Sequence, residues 1–338
     1  MFKQTRVDIL FEAALPVAHH EGTFGNHATI MTREVRRRGG GWTKVAYVTG
    51  DAMRNRMRYG SSLAVLRAAG LLGEHLSEGA LRLLFAGGMV TGRGDASVIN
   101  LDRYRELCEL VPPLSLFGGC ADSRVMPGKI FVEPATLICR ETECYLPEWT
   151  RAWLRGDEAA ERPAETLDDA RRHVEIVQRV RMDPMLRPDL RALLTADARA
   201  GGGRMLEAGE AAHEADEAPV AREKSAMMPR TFEVVKQGSL FYWTCMGTLH
   251  SPLEEDTFFT TIGALISVLD AEGVGGKRGS GHGKLRPVEA RNIEIARPVE
   301  RVEPFDALTI GRRTGDLFRA HVAERADRIK AFFGGVNA

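Results

Sequence analysis

Residues Gly273 to Lys284 hold six glycines in twelve positions, with Lys277, Arg278 and Lys284 interleaved. The flanks of this loop limit the fold. Phe258 to Leu269 has the apolar spacing of an amphipathic helix stopped by Gly273, and Arg286 to Ala296 reads as a strand. Dinucleotide-binding sheets need the reverse order, strand then loop then helix, so that architecture is excluded. A Walker phosphate loop fails as well. Leu285 stands where a Ser or Thr should hold magnesium, and Arg278 occupies the first glycine position. Two readings remain: a surface hinge, or a loop whose backbone N–H groups and cations approach phosphate oxygens. The three cations favour the second.

The rest of the chain is read against this loop. Val7, Ile9, Phe11 and Ala13 alternate with Asp8, Leu10 and Glu12, which predicts a half-buried strand. A stretch rich in turn formers and bases, His19 to Lys44, leads to the apolar run Val45 to Val48. Thr49 is the expected N-cap of a helix starting near Gly50, with Met53 and Met57 on one face and Arg54 and Arg58 along an adjacent stripe. Residues 60–116 hold glycine-punctuated helical stretches ending at Pro112-Pro113, and Lys129 to Cys139 reads as strand. Thr166 is expected to cap a helix carrying Leu167, Ala170, Val174 and Val177. From about 183 to 230 large apolar residues are few, so a mobile excursion outside the core is expected. Phe232 to Thr248 reads as two strands broken at Gln237-Gly238, and Leu317 to Phe333 as a last helix capped by Thr314. This order fits an α+β, ferredoxin-like sheet enlarged by insertions.

Charge is balanced in total but segregated along the chain. Lys plus Arg (46) equals Asp plus Glu (46) over 338 residues. Residues 31–60 hold eight bases against Glu34 and Asp51, whereas 141–169 hold nine acids against Arg151, Arg155 and Arg162. Such a chain can hold an anionic polymer on one face and stay soluble through another. No apolar run approaches the length of a membrane span and the N-terminal residues lack a secretory pattern, so a cytoplasmic location is expected. Five cysteines without a C-x-x-C pair read as buried reduced thiols, with no metal site.

Two further clusters carry candidate chemistry. Arg36-Arg37-Arg38-Gly39-Gly40-Gly41-Trp42 joins cations, turn flexibility and an aromatic ring, a mixture suited to tracking a backbone and stacking bases. His19-His20-Glu21 could supply an acid or base, but nothing near it in sequence completes a nucleophilic or metal site. Ser280 and His282 lack the strand–elbow–helix frame of a hydrolase. Arg93-Gly94-Asp95 reads as a turn.

Three ordered stretches form a set: the first runs from Gly22-Thr23 through Thr29-Ile30-Met31 to Val48-Thr49-Gly50-Asp51-Ala52-Met53-Arg54-Asn55-Arg56-Met57-Arg58, the second is Phe232-Glu233-Val234-Val235 with Gly238-Ser239 and Phe241, and the third is the glycine loop. Together they resemble the RAMP superfamily of CRISPR proteins. Within the superfamily the chain resembles the Cas-seven backbone subunit. Leu116-Phe117-Gly118-Gly119 and the His-Glu-Gly segment lean toward the type IV version.

The resemblance implies an RRM/ferredoxin-like palm with an inserted helical finger and an extended thumb. The expected division is palm 1–59, finger 60–116, palm with a helical insertion 117–182, thumb 183–230, and palm 231–338. It implies a non-catalytic subunit that polymerises along a CRISPR guide RNA and needs no cofactor. Expected partners are further copies of the chain, other effector subunits and a complementary target strand. The expected RNA-binding residues are His20, Arg36, Arg37, Arg38, Arg54, Arg56, Arg58, Lys224, Lys277, Arg278, Ser280, His282 and Lys284. Two alternatives stay open: a RAMP endoribonuclease, and an RNA-binding protein unrelated to CRISPR.

Overall fold

A computed structural model describes residues 3–88, 101–121, 124–156, 167–182, 227–296, 299–305 and 315–333. The strands are β1 (Lys3–Ala13), β2 (His20–Phe24), β3 (His27–Ile30), β4 (Thr32–Arg36), β5 (Trp42–Val48), β6 (Gly119–Ala121), β7 (Arg124–Met126), β8 (Ile130–Val132), β9 (Ala135–Leu137), β10 (Val174–Met182), β11 (Met227–Val235), β12 (Leu240–Leu249), β13 (Leu285–Ala296) and β14 (Val299–Phe305). The α-helices are α1 (Gly50–Ala68), α2 (Glu78–Leu81), α3 (Leu101–Leu110), α4 (Pro113–Phe117), α5 (Glu148–Arg155), α6 (Pro252–Ala271), α7 (Asp316–Glu324) and α8 (Ala326–Phe333).

The main sheet runs β14-β13-β1-β12-β9-β5-β4, with β8 also paired to β12. Its middle, β13-β1-β12-β9, is antiparallel, with α1 between β1 and β9 in sequence and α6 between β12 and β13. That is the ferredoxin-like α+β arrangement read from the element order. Met53 and Met57 of α1, with Phe258, Ile262 and Leu265 of α6, pack on Val7, Ile9, Phe11, Phe241 and Trp243 of the sheet. The two helices approach closely at Gly60, where a Cβ would lie 2.8 Å from the Ala264 carbonyl oxygen. Thr49 caps α1 as expected, its hydroxyl accepting from the Ala52 N–H at 3.2 Å.

The opposite face of β1 is covered too, so the strand is not half-buried as its alternation suggested. Leu10 packs with Ile138, Leu146, Leu154 and Leu240 under α5. Asp8 is also fully buried. Its carboxylate accepts from the Thr244 hydroxyl (2.6 Å) and the Trp149 indole N–H (3.2 Å), and Arg6 Nε lies 3.1 Å away. A buried charge persists where partners replace its water in this way.

Other expectations need correction. The helix expected after Thr166 is a single 3₁₀ turn, Ala170–His173, followed by β10; Thr166 itself lies outside the described residues. Val174, Ile176, Val177 and Val180 are β-branched, and a full ladder with β11 outweighs their loose helical spacing. The strand Lys129 to Cys139 divides into β8 and β9 at Glu133-Pro134, since proline offers no N–H to a ladder. The two strands of Phe232 to Thr248 form, but in different sheets, β11 belonging to a second sheet of order β10-β11-β3-β2. The last helix breaks at Arg325 into α7 and α8. Thr314 lies outside the described residues, and the N–H groups of Gly315 (2.5 Å) and Phe318 (2.8 Å) donate to the Asp256 carboxylate instead. The five cysteines are free; Cys139 and Cys245 are buried as expected, but Cys144 is exposed.

Two expected insertions meet the structure differently. Of residues 60–116 the described part is helical and shares a core with α7 and α8, through Val65, Leu84, Leu107, Phe318, Val322 and Phe333. Residues 89–100, with the Arg93-Gly94-Asp95 tripeptide, lie outside the described residues, as do 183–226 of the expected excursion. Among the described residues no helix is long and apolar enough to cross a membrane.

Strands β10 and β11 remain in register from Val174 opposite Val235 to Met182 opposite Met227, so residues 183–226 leave and re-enter the fold at one place. Replacing residues 186–223 with a short Gly/Ser turn is therefore expected to leave cooperative unfolding intact. Closing a shorter loop changes stability by only about 0.6 kcal/mol per halving. A variant that fails to melt cooperatively would show that the segment belongs to the core.

Candidate nucleic-acid interface

Half of the glycine loop is a strap. The Gly276 N–H donates to the Ala18 carbonyl (2.6 Å) and the Gly283 N–H to the Pro16 carbonyl (2.8 Å), while Val274 N–H closes the loop on the Gly283 carbonyl (2.9 Å). Gly275 and Gly283 have φ of 82° and 85°. A Cβ would lie 2.6 Å from the Ala18 oxygen at Gly275 and 1.9 Å from the Val274 oxygen at Gly283. These glycines let two backbones touch, and other residues would not fit. Gly279 and Gly281 differ, since a Cβ on either would meet nothing within 4 Å. The loop is thus pinned at both ends, and it exposes Gly276 to Gly281 to solvent. Lys277, at its crest, has φ of 58°, alone among the described non-glycine residues in the left-handed region.

The crest faces Phe232 of β11, a buried ring with cations and histidines around it. Lys277 Nζ and Arg179 Cζ lie 5.6 Å and 5.7 Å from its centroid. The rings of His20 and His282 meet it edge-on at 5.9 Å and 5.6 Å. Each cation gains about 0.5–1 kcal/mol from such a ring face. His20 Nε2 contacts the Glu233 carbonyl at 3.0 Å and His282 Nδ1 the Ser280 carbonyl at 3.1 Å, so each ring nitrogen donates. Ser280 is exposed on the crest. Behind the loop, Glu272 joins Arg56 (3.4 Å) and Arg278 (3.6 Å). Lys284 closes the strap, its carbonyl accepting from the Leu15 N–H at 3.4 Å.

The structure does not bring all the expected residues to this place. Arg54 donates to the carbonyls of Phe117 (2.5 Å) and Ile130 (3.3 Å), and Arg58 to that of Gly118 (3.0 Å). Both guanidinium groups lie against the Phe117 ring, and burial, then repulsion from Arg54, pushes Arg58 down to about 10. Their partners are backbone oxygens of this chain, which makes them struts. Arg36, Arg37 and Arg38 sit on the separate hairpin between β4 and β5. Lys224 lies outside the described residues. Arg179 and Phe232 were not expected at the site. Reading β10 as a helix hid Arg179, because a strand is what carries it to Phe232, itself expected on a strand.

His19 is turned inward. Its Nε2 accepts from the Thr49 N–H at 3.3 Å, and burial, then the nearby His20, lowers its pKa. Among the described residues no cluster of His, Cys, Asp and Glu could hold a metal ion.

No protein-family model matches the chain, and no curated protein does. Among solved structures it is similar to a chain of a "Type IV-B CRISPR Complex", at 17% identity and a TM-score of 0.46, over 91% of this chain and 97% of that one. Likeness of that degree leaves ligand and activity to the residues themselves.

The strap and the crest respond differently to substitution. Gly275→Ala is expected to destabilise the chain by about 2 kcal/mol, whereas Gly279→Ala stays within about 0.5 kcal/mol. Chemical denaturation of both variants checks this, and equal stabilities would contradict the strap.

A pH dependence follows from the histidines. His19, His173 and His282 all lie below the ordinary value of 6.5, with burial the largest cause in each. On acidification the unfolded chain takes up these protons first, so stability is present above about pH 6.5 and is lost as pH falls through the lowered folded-state values. The denaturation midpoint should drop between pH 6.5 and 5, less so in His19→Gln. A flat midpoint across that window would overturn the assignment.

Proposed function

We propose that this chain is a non-catalytic RNA-binding subunit of a CRISPR effector ribonucleoprotein, polymerising along a guide RNA and holding it by the crest of the glycine loop. One observation carries the reading: Lys277 and Arg179 are held over Phe232 beside a run of exposed, glycine-rich backbone. Fixed cations next to accessible backbone suit phosphates, which any RNA sequence supplies. The balanced total charge supports a local grip over a wholesale coating. The three motifs that resemble the RAMP superfamily support the CRISPR context, a cytoplasmic site of action, a thumb within 183–230 and a finger within 60–116. Copies of the chain, other effector subunits and a target strand are the partners this reading implies.

The geometry at His19 supports a binding role over a ribonuclease. His19 already accepts the Thr49 N–H at Nε2, so its proton sits on the other nitrogen and none is left as a base, whereas His20 donates through Nε2 to the Glu233 carbonyl and keeps Nδ1. A general base needs a nitrogen free to take a proton.

The test is binding of end-labelled single-stranded RNA across a salt series. Log affinity should fall with log salt by roughly 0.7 per phosphate contact. Lys277→Ala with Arg278→Ala should weaken binding and flatten that slope by about one to two contacts, leaving circular dichroism unchanged and the RNA intact. Affinity independent of salt, or unaltered in the variant, would overturn the crest as the binding surface. Cleavage lost on changing His19 and His20 to alanine would favour the enzyme.

A further inference from the structure

The hairpin between β4 and β5 parts two hollows of opposite character. On one side a cavity of about 580 Å³ is lined by the rings of Trp42, Tyr145 and Tyr242, with Arg33 and Arg36 against Glu34 and Glu133. On the other a cleft of about 680 Å³ is lined by Arg37, Arg38, Arg140, Arg171 and Arg172 against Glu141 and Asp169. Glycine φ values of 95° and 78° at Gly40 and Gly41, and the Arg37 N–H to the Gly41 carbonyl (3.0 Å), set the turn that separates them.

The first hollow presents rings to solvent. Trp42 is 66% exposed and Tyr145 60% exposed, and neither is needed to fill the core. Tyr145 is nonetheless held in place, its hydroxyl donating to the Arg36 carbonyl at 2.8 Å. Arg33 is held too, by the Thr136 hydroxyl (2.5 Å) and over the Tyr47 ring (5.7 Å). A flat face such as that of Tyr145, fixed before a ligand arrives, suits a planar aromatic guest, since less ordering is left to be done on binding.

The second hollow keeps a cationic surplus. Asp169 is matched by Arg140 at 3.1 Å, and Glu141 is occupied by the Ala170 N–H at 2.9 Å. Arg37, Arg38 and Arg171 add exposed charge beside them. An apolar side chain of a protein partner would explain the rings but not the arginines, and a free anion the reverse. A nucleotide carries both features, a planar base and an anionic phosphate, and the two hollows meet at one hairpin, Arg36 and Trp42 lining the first and Arg37 and Arg38 the second.

We propose that this hairpin is a second nucleotide-binding site, taking one base of a single-stranded RNA out of its stack against Trp42 and Tyr145 and its neighbouring phosphates among Arg37, Arg38 and Arg171. The proposal rests on the RNA-binding reading and adds to it a site apart from the glycine loop. Base–aromatic stacking of this type is sequence-tolerant, so the site should accept any base.

The full chain is titrated with a short single-stranded RNA, with the same RNA carrying abasic positions, and with a free nucleoside monophosphate. Trp42→Ala and Tyr145→Ala should each weaken binding of the intact RNA by about tenfold, as expected for loss of one stacked base. Both should leave binding of the abasic strand unchanged. Tyr145→Phe, which keeps the ring and loses the hydroxyl, and Trp42→Phe should stay close to the parent. Arg38→Ala with Arg171→Ala should weaken both strands and lower the salt slope. Aromatic variants that bind intact RNA as the parent does, while the Lys277/Arg278 variant fails, would overturn this site and leave the loop standing. A free nucleotide that binds in the slot and displaces no RNA would assign it to mononucleotides and overturn the proposal. If the parent binds no RNA at all, both readings fall.

Discussion

Backbone pairing of β1 on both edges is the constraint on which the rest of this molecule depends. One edge pairs with β12 from Lys3 opposite Leu249 to Glu12 opposite Leu240, and the other with β13 from Gln4 opposite Ile295 to Ala13 opposite Leu285. Paired on both edges and buried on both faces from Val7 to Phe11, β1 requires everything between it and β12 in sequence to leave and return without disturbing that register. A one-residue slip would exchange the Val7–Ile9–Phe11 face for the Asp8–Leu10 face. Asp8 makes such a slip costly, because its carboxylate would lose the Thr244 and Trp149 donors that other elements bring to it.

The loop that carries the candidate site inherits this order. The chain leaves β1, runs through Pro16 to Ala18, and there meets the strap of the glycine loop, which itself leads into β13. Position of the crest is therefore set by the same two strands that set the core. Phe232 arrives from the second sheet through β11, whose parallel pairing with β3 places Phe232 opposite Ala28. Lys277 and His282 of the loop, Arg179 of β10 and His20 of β2 thus come together from three separate segments, which is how precise placement without a large pocket is achieved.

Much of the architecture was legible in the sequence, and the reasons for the failures differ. The helix after Thr49, the helix before Gly273 and the strand after Lys284 each carry a local signal, a cap, a period or a stop, and each formed. The burial of both faces of β1 was not legible because its cover, α5, lies far along the chain among residues read as acidic and solvated. For β10, Val174 and Val177 continue a helical spacing from Leu167 and Ala170, and only the partner strand β11 made them extended. Glycines in the loop were read as making room for phosphate, yet Gly275 and Gly283 make room for this chain's own backbone. Arginine stripes carry the same ambiguity. Arg54 and Arg58 resemble any cationic face until Phe117, Gly118 and Ile130 are seen to offer their carbonyls.

The long reach of β1 also has a cost in time during synthesis. Thr244 bonds to Val7 and Asp8 across a separation of about 237 residues. At the ordinary pace of about 5–20 residues per second, the first strand leaves the ribosome roughly 10–50 s before its β12 partner is made, and longer before β13. For that interval an apolar strand with both edges open has no native neighbour in the same chain. Nascent copies on one message would then present each other with the same open edge, so a crowded polysome is where this fold is most vulnerable to pairing with the wrong chain.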